Sequence, residues 1–499
     1  MGDFGIGSWI GRRARIDPAR TALVFEDRSW SYAELDRRIA SLTAALIQLG
    51  VEPGDRVAYV GPNHPSFLET LFAVARAGAV LVPVNPGLDD EVAAFEMQDA
   101  GCRLVIHAPG PPGIGLAEGE RVSLDGSHGG RAYEHLIQGS VRPPERTVGL
   151  EDLAILPYTS GTTGRPKGVM LTHANLTWNV VNMIGIADIT GADVALATAP
   201  LFRMGGLGVT VLETLFMGGT VVLTAGPDPD AVLDLIERHR ITLVFAGPEI
   251  LRGLPQHPRW ERADLSSVRL CMTGGTTVPE PLIRTYLERG LPLSQGYGLT
   301  EASPVVSVLS GDLLRTVGSA GPPVPLCDVR VVDGDRAEVP AGSIGEILVR
   351  GPNVMQGYWH RPEATAHALI ADGWLRTGDA GSLDEEGFLY VVGRMADAFA
   401  WMGRTVHPYE IEKVLLEHPD VAECAAVGVP DQGTGQVAAA GVVLRAGSNA
   451  DAGDLARFGR EHLNERGLLG SVVLLDRIPR NPVGKVVRAE LRERLTAAV

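Results

Sequence analysis

The chain has 499 residues, 45% hydrophobic and 21% charged, enough for roughly three or four packing units with substantial cores. Forty-four Lys and Arg against 60 Asp and Glu leave a formal net charge of −16, which argues against nucleic acid as a partner because binding phosphate backbones needs a basic surface. Cys102, Cys271, Cys327 and Cys424 are scattered, without a CxxC pair or a His at ligand spacing, so they read as reduced thiols and exclude a disulfide framework or a zinc site.

In chain order, the N-terminal MGDFGIGSWIGRRARIDPAR lacks the apolar core of a secretory signal, and Ile6 stands where a myristoylation signal needs Ser or Thr. Ser31 and Glu34 form a capping-box pattern. Leu35, Ile39, Leu42, Leu46 and Leu49 follow at helical spacing before Gly50, which predicts a helix. Residues 55–64 read as a strand and turn, and residues 69–86 as a helix, a break at Gly78 and a buried strand. The longest apolar stretch, residues 71–84, carries Arg76 and Pro83 and falls short of the ~20 residues a bilayer span needs, so a cytoplasmic protein with no membrane span is expected. A helix over 230–239 and a strand over 241–245 repeat the αβ rhythm, which favours an α/β fold with largely parallel sheets. Residues 311–351, with short strands over 329–332 and 346–349, read as a β-rich subdomain. A boundary is placed near Arg394. It leaves a large N-terminal domain, 1–393, built of two α/β subdomains plus the β-rich one, and a small α+β C-terminal domain, 394–499. The latter reads as helix then strand over 407–431, strand over 438–444, helix over 452–466 and a short last helix.

LPYTSGTTGRPKGVMLTHANL, residues 156–176, packs Thr159, Ser160, Gly161, Thr162, Thr163, Gly164 and Lys167 together, after a strand and before a helix. Glycines let backbone N–H groups turn toward a polyanion, hydroxyls add donors, and the lysine brings a mobile positive charge. Pro166 stands where a Walker A loop requires Gly, so the segment is a phosphate cradle of another kind.

This segment resembles the signature of the adenylate-forming enzymes: acyl- and aryl-CoA synthetases, luciferases and the adenylation domains of peptide synthetases. Four further segments resemble that family in order and spacing. The resemblance implies that in SQGYGLTEASP Tyr297 stacks on adenine, Thr300 contacts the α-phosphate and Glu301 holds Mg2+. In GWLRTGDAG it implies that Asp379 binds the ribose hydroxyls, and in GRMAD that Arg394 is a second ribose contact. In PRNPVGKVVR it puts Lys485 where the family keeps the lysine bridging carboxylate and α-phosphate. Residues 202–207, 245–248, 273–276 and 297–304 are implied to line the acid pocket, with Arg203, Gly274 and Gly298 as substrate contacts. ATP and Mg2+ are the implied cofactors, and a mobile C-terminal domain rotates between two half-reactions.

Three positions depart from the family pattern. Arg203 in APLFRMGGLG replaces a histidine common in acyl-CoA synthetases; it either faces solvent or offers the pocket a cation suited to a small or second anionic group. It also argues against an amino-acid substrate, since relatives that activate amino acids keep an Asp nearby. Ala396 takes the hinge position, usually Asp or Lys. AFAWMGRTVHP replaces a Ser-Gly-Gly-Glu-like stretch that lines the pantetheine tunnel, and Trp401 and Met402 either narrow that tunnel or pack beneath their own domain.

The leading reading is an AMP-forming ligase that adenylates a small aromatic or short-chain acid and transfers it to CoA. The alternative keeps adenylation but uses an amine acceptor, or activates nitrite for diazotisation as in the ATP-dependent diazotases of bacterial secondary metabolism. A regulatory AMP-binding protein without catalysis is disfavoured by Lys167, Glu301 and Lys485 together. Lys485→Ala is expected to slow adenylate formation by roughly 10²–10³-fold, the cost of one preorganised electrostatic contact. ATP affinity, measured by calorimetry, should change far less.

Overall fold

The computed structural model describes residues 3–497 except 110–119, 126–130, 140–142, 145, 160–164, 227, 276–277, 279, 310–315, 317, 464, 466 and 481–485. The chain forms two compact units. One comprises Met1–Arg330, Leu348–Arg376 and Glu385–Leu389, the other Val331–Ile347, Thr377–Asp384 and Tyr390–Val499. Among the described residues no helix is long and apolar enough to cross a membrane.

The first unit contains two large sheets. One runs Val305–Val308, Leu293–Gly298, Leu270–Gly274, Leu243–Phe245, Val194–Ala197, Thr220–Leu223, Thr21–Phe25, Arg28–Ser31. Its inner neighbours all pair in parallel, and only the two outermost pairs are antiparallel. The other runs Gly357–Tyr358, Lys167–Thr172, Leu153–Ile155, Val80–Val84, Arg56–Val60, Cys102–His107, Glu120–Ser123, Arg131–Ala132. Val80–Val84 is buried at every position, as expected of a parallel strand covered on both faces. Pro83 is accommodated there because pairing with Leu153–Ile155 is made at Leu81, two residues earlier.

Helix Tyr32–Gln48 forms as its sequence predicts. Ser31 Oγ accepts from Glu34 N at 3.2 Å, while Glu34 Oε2 accepts from Ser31 N at 2.8 Å. Leu35, Ile39, Leu42 and Leu46 are fully buried on its inner face. Helix Pro65–Arg76 and strand Val80–Val84 flank Gly78, and helix Pro229–His239 precedes strand Leu243–Phe245.

Three expectations are corrected. The Gly/Thr segment does not lead directly into a helix: Thr159 pairs with Lys167 and Tyr158 with Gly168, so Lys167 opens the strand Lys167–Thr172. Helix His173–Ala187 starts only where the Thr172–Asn175 capping box permits, with Thr172 Oγ1 accepting from Asn175 N at 3.1 Å. The β-rich subdomain is a four-stranded sheet that adds Leu375–Leu383 and Leu389–Arg394 to Asp328–Val332 and Gly345–Arg350. Helix Ala452–His462 stops before residue 466, at Leu463, whose backbone turns extended.

In the second unit, Val421–Asp431 and Gly435–Leu444 pair antiparallel and Leu469–Leu474 adds in parallel. Helices Pro408–Leu416 and Ala452–His462 bury Ile411, Leu415 and Leu455 in one apolar cluster with the sheet. Hairpin Phe399–Trp401/Arg404–Val406 turns through Met402 and Gly403, with φ of 47° and 81°, as a two-residue hairpin turn requires. Trp401 packs against this unit's own core, whereas Met402 at the tip is 69% exposed.

Two buried acids depend on pH. Glu213 is fully buried, and Asn179 Nδ2 donates to its Oε1 at 3.2 Å while Oε2 has no partner among the described residues. Burial pushes its carboxyl from 4.5 up to about 8, and burial does the same to Glu96. Between these values the folded chain holds protons the unfolded chain has lost, so stability falls as pH rises from about 4.5 to about 8. Glu213→Gln is expected to flatten part of that slope and to gain on the wild type as pH rises, read as the difference in Tm between pH 5 and pH 8.

Candidate active site

In the first unit Gly274, Tyr297 and Gly298 lie at the carboxyl ends of parallel strands, where open α/β sheets place ligands. Strands Leu243–Phe245, Leu270–Gly274 and Leu293–Gly298 lie side by side and end at Phe245, Gly274 and Gly298. A methyl group on Gly205 would meet the Phe245 ring at 3.6 Å and one on Gly274 at 3.9 Å, so this ring lies between the Arg203 segment and the strand end. Arg203 precedes the short helix Met204–Leu207. Its segment is anchored by buried Asn63, whose Oδ1 accepts from Leu201 N at 2.8 Å and whose Nδ2 donates to Ala199 O at 3.0 Å. The Arg203 guanidinium stands 5.6 Å from the Phe202 ring centre and makes no hydrogen bond or ion pair among the described residues. Burial pulls its pKa down, and Glu249 partly offsets this. Arg203 is thus a half-buried cation without a hydrogen-bond partner among the described residues.

Tyr297 is half-buried at the end of its strand, opposite Ser307. The chain then makes a helical turn, Thr300–Ala302, which leaves Thr300 and Glu301 half-exposed. Gly298 is required by backbone crowding: a Cβ there would stand 1.9 Å from Pro304 O. Glu301 is held from a distant part of the sequence. Tyr358 OH donates to Glu301 Oε1 at 2.9 Å, and Met355 N donates to Glu301 O at 2.8 Å. Lys167 Nζ lies 4.7 Å from the Tyr358 ring centre, so one tyrosine brings together the phosphate-loop lysine and the candidate metal ligand. Thr159 is placed by its pairing with Lys167. Ser160, Gly161, Thr162, Thr163, Gly164 and Lys485 lie outside the described residues.

Among the described residues no three His, Cys, Asp or Glu side chains cluster as a metal cage. Mg2+ binds through one or two carboxylates while substrate phosphates and water complete its shell. The Tyr358 bond to Oε1 leaves Glu301 Oε2 without a hydrogen bond from a described residue.

In the second unit Arg394 Nε lies 3.0 Å from Asp379 Oδ1, which joins the two residues expected at the ribose. Thr377 organises them: its carbonyl accepts from Arg394 Nη1 at 3.0 Å, and its Oγ1 accepts from Asp379 N at 3.0 Å.

Sequence reasoning missed Tyr358, Asn63 and Thr377. Tyr358 lies in a Gly-Tyr-Trp run that reads as ordinary core, and its partners are 57 and 191 residues away in sequence.

The chain belongs to the AMP-binding enzyme family, whose model matches residues 10–359; the AMP-binding enzyme C-terminal domain matches residues 410–485. It is 44% identical over 497 residues to a feruloyl-CoA synthase of an Amycolatopsis species, covering 99% of this chain and 100% of the relative. It is 41% identical to an indoleacetate–CoA ligase of Aromatoleum aromaticum, covering 98% of each chain. The crystal structure of ATP-bound MatB from Rhodopseudomonas palustris superimposes with a TM-score of 0.91 at 31% identity, covering 99% of each chain. The protein is an AMP-forming ligase.

Gly298→Ala is expected to destabilise the first unit by about 1–3 kcal/mol, the usual cost of overpacking. Gly274→Ala, whose Cβ would meet Gly296 O at 3.3 Å, should cost less. Urea unfolding of both variants measures the difference.

Proposed function

We propose that this ligase adenylates a small aromatic acid with ATP and passes the acyl group to CoA. The observation that carries the reading is near full-length identity above 40% to two relatives that, by their names, are CoA ligases of aromatic acids. The aryl ring would be taken beside Phe245, between Gly205 and Gly274, with Arg203 at the pocket wall.

In the first half-reaction a carboxylate oxygen attacks the α-phosphorus, the bond to the bridging oxygen breaks, and pyrophosphate leaves. Two anions must approach, so each invoked residue supplies or directs positive charge. Lys167 and the donors of Thr159, Ser160, Gly161, Thr162, Thr163 and Gly164 would hold the departing pyrophosphate. Thr300 would bind the α-phosphate and Lys485 would bridge it to the attacking carboxylate. Glu301 would hold Mg2+, which neutralises phosphate charge when bound. Tyr297 would stack on adenine, and Asp379, oriented by Arg394, would bind the ribose. Gly274 and Gly298 would leave room for the acid at the strand ends. In the second half-reaction the CoA sulfur attacks the acyl carbon and AMP leaves, after the domain beginning near Arg394 rotates about Ala396.

Trp401 packing into its own unit supports CoA rather than an amine, because its bulk is taken up by the core. The test is pyrophosphate release with ATP and Mg2+ against ferulic, indoleacetic, short aliphatic acids and nitrite, with and without CoA. Release with one aromatic acid, accelerated by CoA, is expected. Release with nitrite, or with an acid and an amine while CoA does nothing, would overturn the reading.

A further inference from the structure

Segment Gly357–Tyr358 is the edge strand beside the phosphate-loop strand. Val169 pairs with Tyr358 and Met170 with Gly357, and Trp359 N donates to Gly168 O at 2.8 Å. The chain just beyond is tied down again: Arg361 Nη2 donates to Asp99 Oδ1 at 2.6 Å, and Tyr158 OH donates to Asp99 Oδ2 at 2.8 Å. Tyr158 directly precedes Thr159, so one carboxylate fixes this strap and the start of the phosphate loop together.

Within this frame Tyr358 meets two groups of opposite charge with two parts of its side chain. Its hydroxyl donates to Glu301 Oε1, and its ring face receives the Lys167 ammonium. A carboxylate in its place would repel Glu301 and neutralise Lys167; a basic residue would repel Lys167 and compete for Glu301. A phenol orients both and cancels neither. The neutral O–H bond selects one carboxylate oxygen and leaves the other for a cation. The ring holds an ammonium through its quadrupole while the full positive charge persists.

We propose that Tyr358 is a positioning residue of the adenylation half-reaction, setting Glu301 toward the metal and Lys167 toward the pyrophosphate by separate contacts. This rests on the ATP- and Mg2+-dependent reading above.

The two contacts separate by substitution. Tyr358→Phe removes the hydroxyl and keeps the ring, whereas Tyr358→Leu removes both. Tyr358→Phe is expected to raise the Mg2+ concentration for half-maximal pyrophosphate release by roughly 10–100-fold, as for other residues that orient a metal ligand. Its KM for the acid should stay unchanged. A readout apart from turnover comes from the lysines, since the chain has three, Lys167, Lys413 and Lys485. In isotope-labelled lysine NMR of the full-length protein without ligands, assigned by Lys→Arg variants, the Lys167 ε-methylene signal should carry an aromatic ring-current shift. That shift should survive in Tyr358→Phe and vanish in Tyr358→Leu, with the Lys413 signal unmoved in both. An unchanged Mg2+ requirement in Tyr358→Phe, or a Lys167 signal indifferent to Tyr358→Leu, would overturn the proposal. Wild-type protein that neither binds MgATP nor releases pyrophosphate would overturn the functional reading and this inference with it. Normal wild-type turnover with indifferent variants would overturn this inference alone.

Discussion

The pairing of edge strand Gly357–Tyr358 with Lys167–Thr172 is the contact on which the site proposed in the first unit depends. A reaction between two anions needs positive charge delivered in a fixed direction without being neutralised on the way. This chain carries a net charge of −16, so a free ammonium near the reaction has many carboxylates to choose from. Pairing Lys167 with an aromatic ring, whose hydroxyl is committed to Glu301, keeps the cation and the carboxylate apart although both attach to one residue. Strand register sets the distances, so the geometry is as rigid as the sheet.

The same economy recurs in the second unit. Arg394 pairs with Asp379, and three residues later Asp397 accepts from Arg488 Nε at 3.0 Å. Arg488 also reaches Glu412 at 2.8 Å and the carbonyl of Ala426, which fixes the start of the last helix to the sheet. Met395 and Ala396 lie between these two anchored positions. A small side chain at 396 imposes little of its own on the backbone between them.

Much of the fold is legible because local signals and burial agree. The Ser31–Glu34 box with its leucine spacing, the Gly78 break and the αβ rhythm over 229–245 each state their outcome within about twenty residues. What the sequence hides is assembled from a distance. The β-rich sheet takes Leu375–Leu383 and Leu389–Arg394 from beyond the segment that reads as β-rich. Lys167 looks like the entrance to a helix because the capping box five residues on is strong, yet cross-strand pairing with Tyr158–Thr159 claims it first. Tyr297, Thr300, Glu301, Asp379 and Arg394 are legible as motifs, but their orienting partners, Tyr358 and Thr377, carry no chemical signal in one dimension. Arg203 is legible as a departure. Its partial burial and its lack of a hydrogen-bonded partner among the described residues emerge only from the structure.

An enzyme-bound acyl adenylate that CoA consumes is the intermediate on which the proposed reaction turns. Rapid-quench mass spectrometry of a single turnover, with MgATP and an aromatic acid that supports pyrophosphate release, tests this directly. Acyl-AMP should accumulate to about one equivalent of enzyme without CoA and disappear into the thioester when CoA is added. Pyrophosphate release with no acyl-AMP, or an adenylate that ignores CoA and is discharged by an amine, would contradict it.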